Sequence, residues 1–320
     1  MFDTIIIGAG PAGMCASIYS ARSGLNTLLL DESVPGGLLN KISIVENYLG
    51  YKSINGSDLA LDMYNHVKNE NVTFKLEKVV SIRDDGAYKV VTTTKGEYKT
   101  KGVIIAIGRK PRKSGIPNED VYAGKGVSYC AICDAPLYKN KKLVVLGGGD
   151  SAFEEAIYLS NFAFSVTIVV RNKISASDAL VAEAKDKNIE IIIGKEAVDF
   201  LGTDVIKQVK FNDESTIDCD GVFIYYGYQA DTAFMKDLNI TDDKGYIEVD
   251  NSMRTKVPFI YACGDIIKKD VYQIVTAASD GCIAALSLKK DINKSEKQIY
   301  WYSIINYRKY NFICDVSIFF

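Results

Sequence analysis

The sequence predicts an α/β protein built from two Rossmann-like, three-layer nucleotide-binding domains, the second inserted in the first. Three observations carry this. One strand–glycine loop–helix–strand unit opens at Thr4 and a second opens at Leu143. A Gly-Asp pair at a strand end, Gly264-Asp265, suits the first unit but returns far downstream of it.

The first unit begins with the apolar run Thr4-Ile5-Ile6-Ile7, which ends at Gly8. A helix follows from about Ala12 to Ser23, Gly24 closes it, and Thr27-Leu28-Leu29-Leu30 forms the next strand, ending on Asp31. This is a βαβ unit of about 30 residues. The loop Gly8-Ala9-Gly10-Pro11-Ala12-Gly13 lets backbone turn tightly and approach a pyrophosphate, which the helix N-terminus stabilises. Asp31 stands about 20 residues on, at the spacing of a carboxylate that binds a ribose hydroxyl. Alternating strands follow, such as Val72–Leu76, Tyr88–Thr94 and Val103–Ile107, the last running into Ala106-Ile107-Gly108-Arg109-Lys110-Pro111.

The second unit repeats the plan. Leu143–Leu146 is a strand, Gly147, Gly149 and Ala152 give GxGxxA with Asp150 and Ser151 inside it, a helix runs to about Asn161, and Val166–Val170 is a strand. Its bland reading is a glycine turn that binds nothing. Between the units stands Cys130-Ala131-Ile132-Cys133-Asp134. A CxxC that opens a helix has its first thiol pKa lowered, which favours thiolate. Asp134 is placed beside Cys133 to move a proton.

Composition bounds the rest. The chain has 320 residues, 48% hydrophobic and 24% charged, with a net charge of −2, so two soluble domains fit and no global basic field points to nucleic acid. No apolar run approaches the roughly 18–20 residues that span a bilayer. Met1-Phe2-Asp3 carries an acid where a secretory leader has a basic region, so the cytoplasm is the expected location. Seven scattered cysteines are not a secreted disulfide framework. With one histidine, His66, and one CxxC, no metal site is expected.

In chain order, GAGPAG at Gly8, Pro35-Gly36-Gly37-Leu38-Leu39 with Val45-Glu46-Asn47-Tyr48, the strand end at Ala106–Pro111, CAICD, GGGDSAFEEA at Gly147 and Ala262-Cys263-Gly264-Asp265 resemble the low-molecular-weight thioredoxin reductases. The resemblance covers about residues 1–289. It implies an FAD domain from 1–112 and 247–290, an inserted NAD(P)H-type domain at 113–246 carrying the dithiol, and a homodimer. It implies FAD contacts from Gly8, Gly10, Pro11, Ala12, Gly13, Asp31, Gly36, Gly37, Leu38, Asn47, Ala106, Gly108, Gly264, Asp265, Gln273 and Ile274. Reduced flavin would pass two electrons to the Cys130–Cys133 disulfide, with Cys133 nearer the flavin and Cys130 more accessible, and thioredoxin would be reduced through a mixed disulfide.

The chain departs from the family where NADPH is read. NADPH-dependent members carry His-Arg-Arg and a further Arg after the second strand of the inserted domain; here the stretch is Val170-Arg171-Asn172-Lys173-Ile174-Ser175-Ala176. Each lost arginine contact to a 2′-phosphate is worth roughly 1.5–3 kcal/mol. Tyr272-Gln273-Ile274 stands where the family has Arg-Gln-Ala, and Gly37-Leu38-Leu39 where it has Gly-Gln-Leu. A ferredoxin-dependent flavin branch shares such losses, so ferredoxin is the expected donor, with NADPH as the alternative. Arg109–Lys113 with Lys139, Lys141 and Lys142 are candidates for a basic docking face, or plain solvated charge.

Two other classes compete. A flavin-dependent ferredoxin–NADP⁺ reductase would lack the CxxC, and a flavin-binding protein without turnover would bind FAD alone. The tail at 291–320 is rich in aromatics without a clean period. It could cover the flavin, serve contacts, or be an unselected and poorly ordered extension.

Overall fold

The computed structural model describes residues 1–42 and 44–315, without the side chains of 41, 110, 111 and 299–315. The chain opens with β1 (Phe2–Ile7), α1 (Pro11–Arg22), β2 (Thr27–Asp31), β3 (Ile44–Val45), β4 (Ile54–Asn55) and α2 (Gly56–Lys68). It continues with β5 (Val72–Leu76), β6 (Val79–Asp84), β7 (Lys89–Thr93), β8 (Gly96–Ile105), β9 (Lys110–Pro111), α3 (Glu119–Tyr122), β10 (Val127–Ser128) and α4 (Ala131–Asp134). Then come β11 (Lys142–Leu146), α5 (Asp150–Leu159), β12 (Ser165–Val170), α6 (Asp178–Asp186), β13 (Glu190–Ile193), β14 (Ala197–Gly202), β15 (Ile206–Phe211), β16 (Thr216–Asp218) and β17 (Gly221–Ile224). The last elements are β18 (Tyr228–Gln229), β19 (Ile260–Ala262) and α7 (Ile274–Asp315).

The expected α/β class is borne out. Two compact units form, one from 1–39, 58–109 and 230–320, the other from 40–57 and 110–229. These units divide the chain differently from the expected ranges at 40–57, 110–112 and 230–246, and the first unit also takes in the stretch after 290.

The first unit holds a seven-stranded sheet in the order β5-β2-β1-β8-β7-β6, with β19 also paired to β8. Strands β5, β2, β1, β8 and β19 run parallel, while β6 and β7 form an antiparallel extension. Ile5, Ile6 and Ile7 are buried on both faces, as a central parallel strand requires. On one face, Ala12, Met14 and Ala16 of α1 pack with Ala277, Ala284, Ala285 and Leu288 of α7. The small residues are needed: a Cβ on Gly281 would sit 2.2 Å from the Ala12 carbonyl oxygen. The other face is covered by Met235, Leu238, Ile240 and Ile247.

The second unit holds a five-stranded parallel sheet, β10-β17-β11-β12-β13, and an antiparallel meander, β14-β15-β16. Phe153, Ala156 and Leu159 of α5 cover one sheet face, and Phe200, Val209 and Phe211 of the meander cover the other. Helix α7 runs on to Asp315, through a stretch where the sequence shows no clean period. The three readings of the tail concern side chains after 298, which lie outside the described residues.

Candidate functional site

The first glycine loop is held in one shape by contacts only glycine allows. Gly8 has φ +104°, and a Cβ there would lie 2.4 Å from the Ala106 oxygen. A Cβ on Gly13 would lie 1.8 Å from the Gly8 oxygen. Pro11 is pre-set for the first helical turn of α1, and its missing N–H costs nothing there. Gly10 differs: its φ is −77°, and a Cβ would meet nothing within 4 Å. Open space thus faces the N–H groups at the start of α1.

Asp31 braces this loop. Its Oδ2 accepts the Ala9 N–H at 2.6 Å, and its Oδ1 accepts the Ser33 N–H at 2.8 Å and the Ser33 hydroxyl at 3.0 Å. A carboxylate carries about four acceptor positions, so these three bonds leave about one for a ligand hydroxyl. The Gly36 N–H donates to the Ala9 oxygen at 2.8 Å, and a Cβ on Gly37 would lie 3.3 Å from Gly10 Cα. Leu38 follows half-buried in a short 3₁₀ turn.

The strand β19 delivers Gly264 against α1: at φ +77°, its Cβ would lie 2.7 Å from that of Ala12. Asp265 follows, and its Oδ1 is buried without a hydrogen-bond partner, 3.8 Å from Lys269 Nζ. Burial pushes the Asp265 carboxyl above its ordinary range, against the pull of Lys269 and Arg109. An orphaned buried carboxylate oxygen wants a donor. Open space at a helix N-terminus and an acceptor awaiting a hydroxyl fit a dinucleotide with a polyol chain.

Residues that sequence reasoning missed hold this turn in place. Asp280 on α7 accepts Lys269 Nζ at 2.7 Å and the Gly264 N–H at 3.3 Å. Arg109 stacks on the Tyr272 ring at 3.5 Å and donates to the Tyr246 hydroxyl at 2.6 Å. Gly108, at φ +61°, sets the turn before Arg109. Gln273 and Ile274 lead into α7, where the Thr276 hydroxyl accepts the Gln273 N–H at 3.1 Å. Asn47 is exposed and belongs to the 40–57 segment of the second unit, whereas the other candidate cofactor residues belong to the first.

In the second unit Cys130 and Cys133 form a disulfide. Cys130 caps α4, and its Sγ accepts the Cys133 N–H at 3.3 Å. That bond would stabilise a thiolate at Cys130. Both cysteines are partly exposed. Asp134 Oδ2 accepts the Ser128 hydroxyl at 2.6 Å, and burial raises the Asp134 pKa. The Ala131 N–H donates to the Tyr225 hydroxyl at 3.0 Å. Glu155 of α5, also missed by the sequence reading, lies beside this turn, and burial pushes its carboxyl up to about 7.

The second glycine loop is packed tightly at its turn. A Cβ on Gly147 would lie 2.8 Å from Ala152 Cβ, and one on Gly148 would lie 2.7 Å from Val170 Cγ1. The Gly148 oxygen accepts the N–H groups of Ser175 and Ala176 at 2.7 and 3.0 Å, and the Ser175 hydroxyl at 3.2 Å. Where Gly10 faces open space, a Cβ on Gly149 would meet Ser175 Oγ at 3.7 Å. Asp150 Oδ1 accepts the Ser177 N–H at 2.8 Å, and Ser151 is exposed. Arg171 pairs with Glu196 at 3.3 Å. No group of metal-ligating side chains forms among the described residues.

The family model for pyridine nucleotide-disulphide oxidoreductases matches residues 2–281. The chain belongs to this family. The thioredoxin reductase of Bacillus subtilis (strain 168) is 41% identical to it over 315 residues, covering 93% of this chain and 97% of that relative. The crystal structure of thioredoxin reductase from Streptococcus pyogenes MGAS5005 matches with a TM-score of 0.88 at 41% identity, over 92% of this chain and 99% of that one. The thioredoxin reductase from Giardia duodenalis matches at 0.86 and 30% identity, over 91% of this chain and 99% of that one. Within its family the chain falls with the low-molecular-weight thioredoxin reductases. The family's cofactor is FAD, and the open loop at Gly10 with the orphaned Asp265 oxygen fits it.

Proposed function

We propose that this enzyme reduces the disulfide of thioredoxin through Cys130 and Cys133, and that its reducing equivalents come from ferredoxin rather than NADPH. The observation that carries the first part is the CxxC turn. A thiolate at Cys130 attacks the thioredoxin disulfide and forms a mixed disulfide; Cys133 then attacks Cys130 Sγ and releases reduced thioredoxin. Two electrons and two protons leave the enzyme dithiol and arrive on thioredoxin. Asp134, its carboxyl buried and held by Ser128, is the group beside Cys133 that holds or returns a proton. FAD supplies the two-electron redox centre when bound, and we assign its pyrophosphate to the Gly8–Gly13 loop and its polyol chain to Asp265.

The donor assignment rests on the second glycine loop. The Ser175 hydroxyl stands beside Gly149, and Arg171 is already paired with Glu196. A 2′-phosphate would have to compete with Glu196 for Arg171, and Lys173 is the exposed cation that remains beside it. A second reading, NADPH, is favoured by the retained turn at Gly147–Ala152, which still presents the N-terminus of α5. For ferredoxin docking, Arg112, Lys139, Lys141 and Lys142 are exposed, while Lys113 is paired with Asp120 at 2.6 Å and Arg109 is committed to Tyr272 and Tyr246. We also expect a cytoplasmic homodimer, as in the resemblance.

The deciding experiment is anaerobic reduction of the bound flavin by NADPH, NADH and reduced ferredoxin in parallel. Bleaching by ferredoxin alone supports the assignment. Rapid bleaching by micromolar NADPH overturns the donor and leaves the disulfide chemistry standing.

A further inference from the structure

We propose that Glu155 is a positioning residue for the Cys130–Cys133 centre, and that its Oε2 takes up a proton when the disulfide opens and returns it when the disulfide re-forms. The geometry starts from the backbone of the CxxC turn. The Ala131 N–H donates to the Tyr225 hydroxyl, and the Tyr225 hydroxyl and the Ile132 N–H both face the Glu155 carboxyl as donors. Both residues between the two cysteines are therefore tied to one carboxyl on α5, directly or through one tyrosine. Yet Oε2 is buried with no hydrogen-bond partner. A buried carboxylate oxygen without a donor is costly, and a proton on it removes the charge.

The charges that act on Glu155, among the described residues, are few. Glu154, its neighbour on α5, repels its ionised form. Tyr225 is deeply buried, and Asp134 and Tyr228 face Tyr225 in turn. Strands β11 and β12 beneath the helix turn the apolar Leu143, Val145, Val166, Ile168 and Val170 toward it. Among the described residues no cation offsets a negative charge on Glu155, so burial dominates and pushes the carboxyl up to about 7.

Opening the disulfide breaks the S–S bond with two electrons, and the sulfur pair gains one proton if it ends as thiol and thiolate, or two if it ends as dithiol. A thiolate one residue from Ile132 adds a like charge close to Glu155 and raises its proton affinity further. Linkage makes this reciprocal: protonated Glu155 favours the reduced centre, and ionised Glu155 opposes it. This rests on Cys130–Cys133 being the redox centre and does not depend on the donor.

The test is the equilibrium of the FAD-loaded enzyme with dithiothreitol, read as the fraction of Cys130 and Cys133 alkylated, from pH 6 to 8.5. Relative to Glu155→Gln, the wild-type equilibrium constant for reduction should fall by about tenfold as pH rises through this span, which is one extra proton over about one pH unit. A ratio that stays constant within twofold overturns the proposal, since a merely structural glutamate would shift both variants equally at every pH. If Glu155→Gln does not fold, Tyr225→Phe carries the test. Loss of that donor should move the same pH span upward, and an unmoved span overturns the proposal. If dithiothreitol reduces the pair in no variant, the functional reading itself falls.

Discussion

Replacing Gly10 and Gly13 by alanine should separate the cofactor site from the fold. In Gly10→Ala the new methyl meets nothing within 4 Å, and φ of −77° is an ordinary alanine conformation. The apoprotein should therefore gain about 0.4–1 kcal/mol from the stiffer unfolded chain. The methyl instead enters the space assigned to the FAD pyrophosphate. A hundredfold loss of affinity would cost about 2.7 kcal/mol of cofactor stabilisation at a free FAD concentration that holds the wild type well above its dissociation constant. Gly13→Ala is the opposite case: its methyl would lie 1.8 Å from the Gly8 oxygen, so the loop must break and the fold should lose about 4 kcal/mol or more. The assay is FAD titration by flavin fluorescence together with urea unfolding of both apoproteins. Wild-type FAD affinity in Gly10→Ala would refute the placement of the pyrophosphate. An apoprotein as unstable as Gly13→Ala would refute the reading of the space as open.

Cys130→Ser and Cys133→Ser should each abolish thioredoxin reduction while the protein stays yellow; Cys133→Ser should trap a mixed disulfide with thioredoxin, visible on a non-reducing gel. Glu155 ionises near 7 in the folded chain against 4.5 unfolded, so its stability contribution is full below about pH 4.5 and is lost as pH rises to 7. Urea unfolding should show Glu155→Gln gaining on wild type by at most about 3 kcal/mol between pH 4.5 and 8, and a constant difference would count against the shift. Glu196→Gln releases Arg171 from an exposed pair worth about 0.2–1 kcal/mol, so NADPH affinity should rise no more than about fivefold. A larger rise would mean that Arg171 alone suffices for the phosphate.

The sequence made the glycine loops legible because their demands are local. A backbone that must pass within contact distance of its own next turn needs glycine at fixed offsets, as Gly8 and Gly13 show. The α/β class followed from the same units. What stayed hidden depends on chain returns that no short spacing records. Asp280 reaches Gly264 and Lys269 only because α7 folds back along α1. Tyr225 meets Ala131 because β10, which leads into α4, is the sheet neighbour of β17. Asp31 was legible by spacing, but its bonds to Ala9 and Ser33 were not. Asn47 was legible only by resemblance, and its segment groups with the second unit. The aromatic run after Gln298 showed no period, yet α7 continues through it to Asp315, because a helix already packed on α1 extends at one new hydrogen bond per residue.

The two glycine loops show why a retained motif is weak evidence for a retained ligand. Each glycine in such a loop answers one of two demands, packing of the turn or room for the phosphate. Gly8 and Gly13 answer the first, and so do Gly147 and Gly148, whose Cβ atoms would strike Ala152 and Val170. Those residues would be needed even if nothing ever bound. Gly10 and Gly149 answer the second on the reading proposed above, and they differ. Gly10 has open space before it, whereas Gly149 faces the Ser175 hydroxyl, itself bonded to Gly148. On the reading proposed above, substitutions after the second strand weaken a nucleotide site while every glycine of its signature persists. On that reading the discriminating residues lie outside the motif, at Arg171 and Ser175, and these are the positions from which the donor should be read.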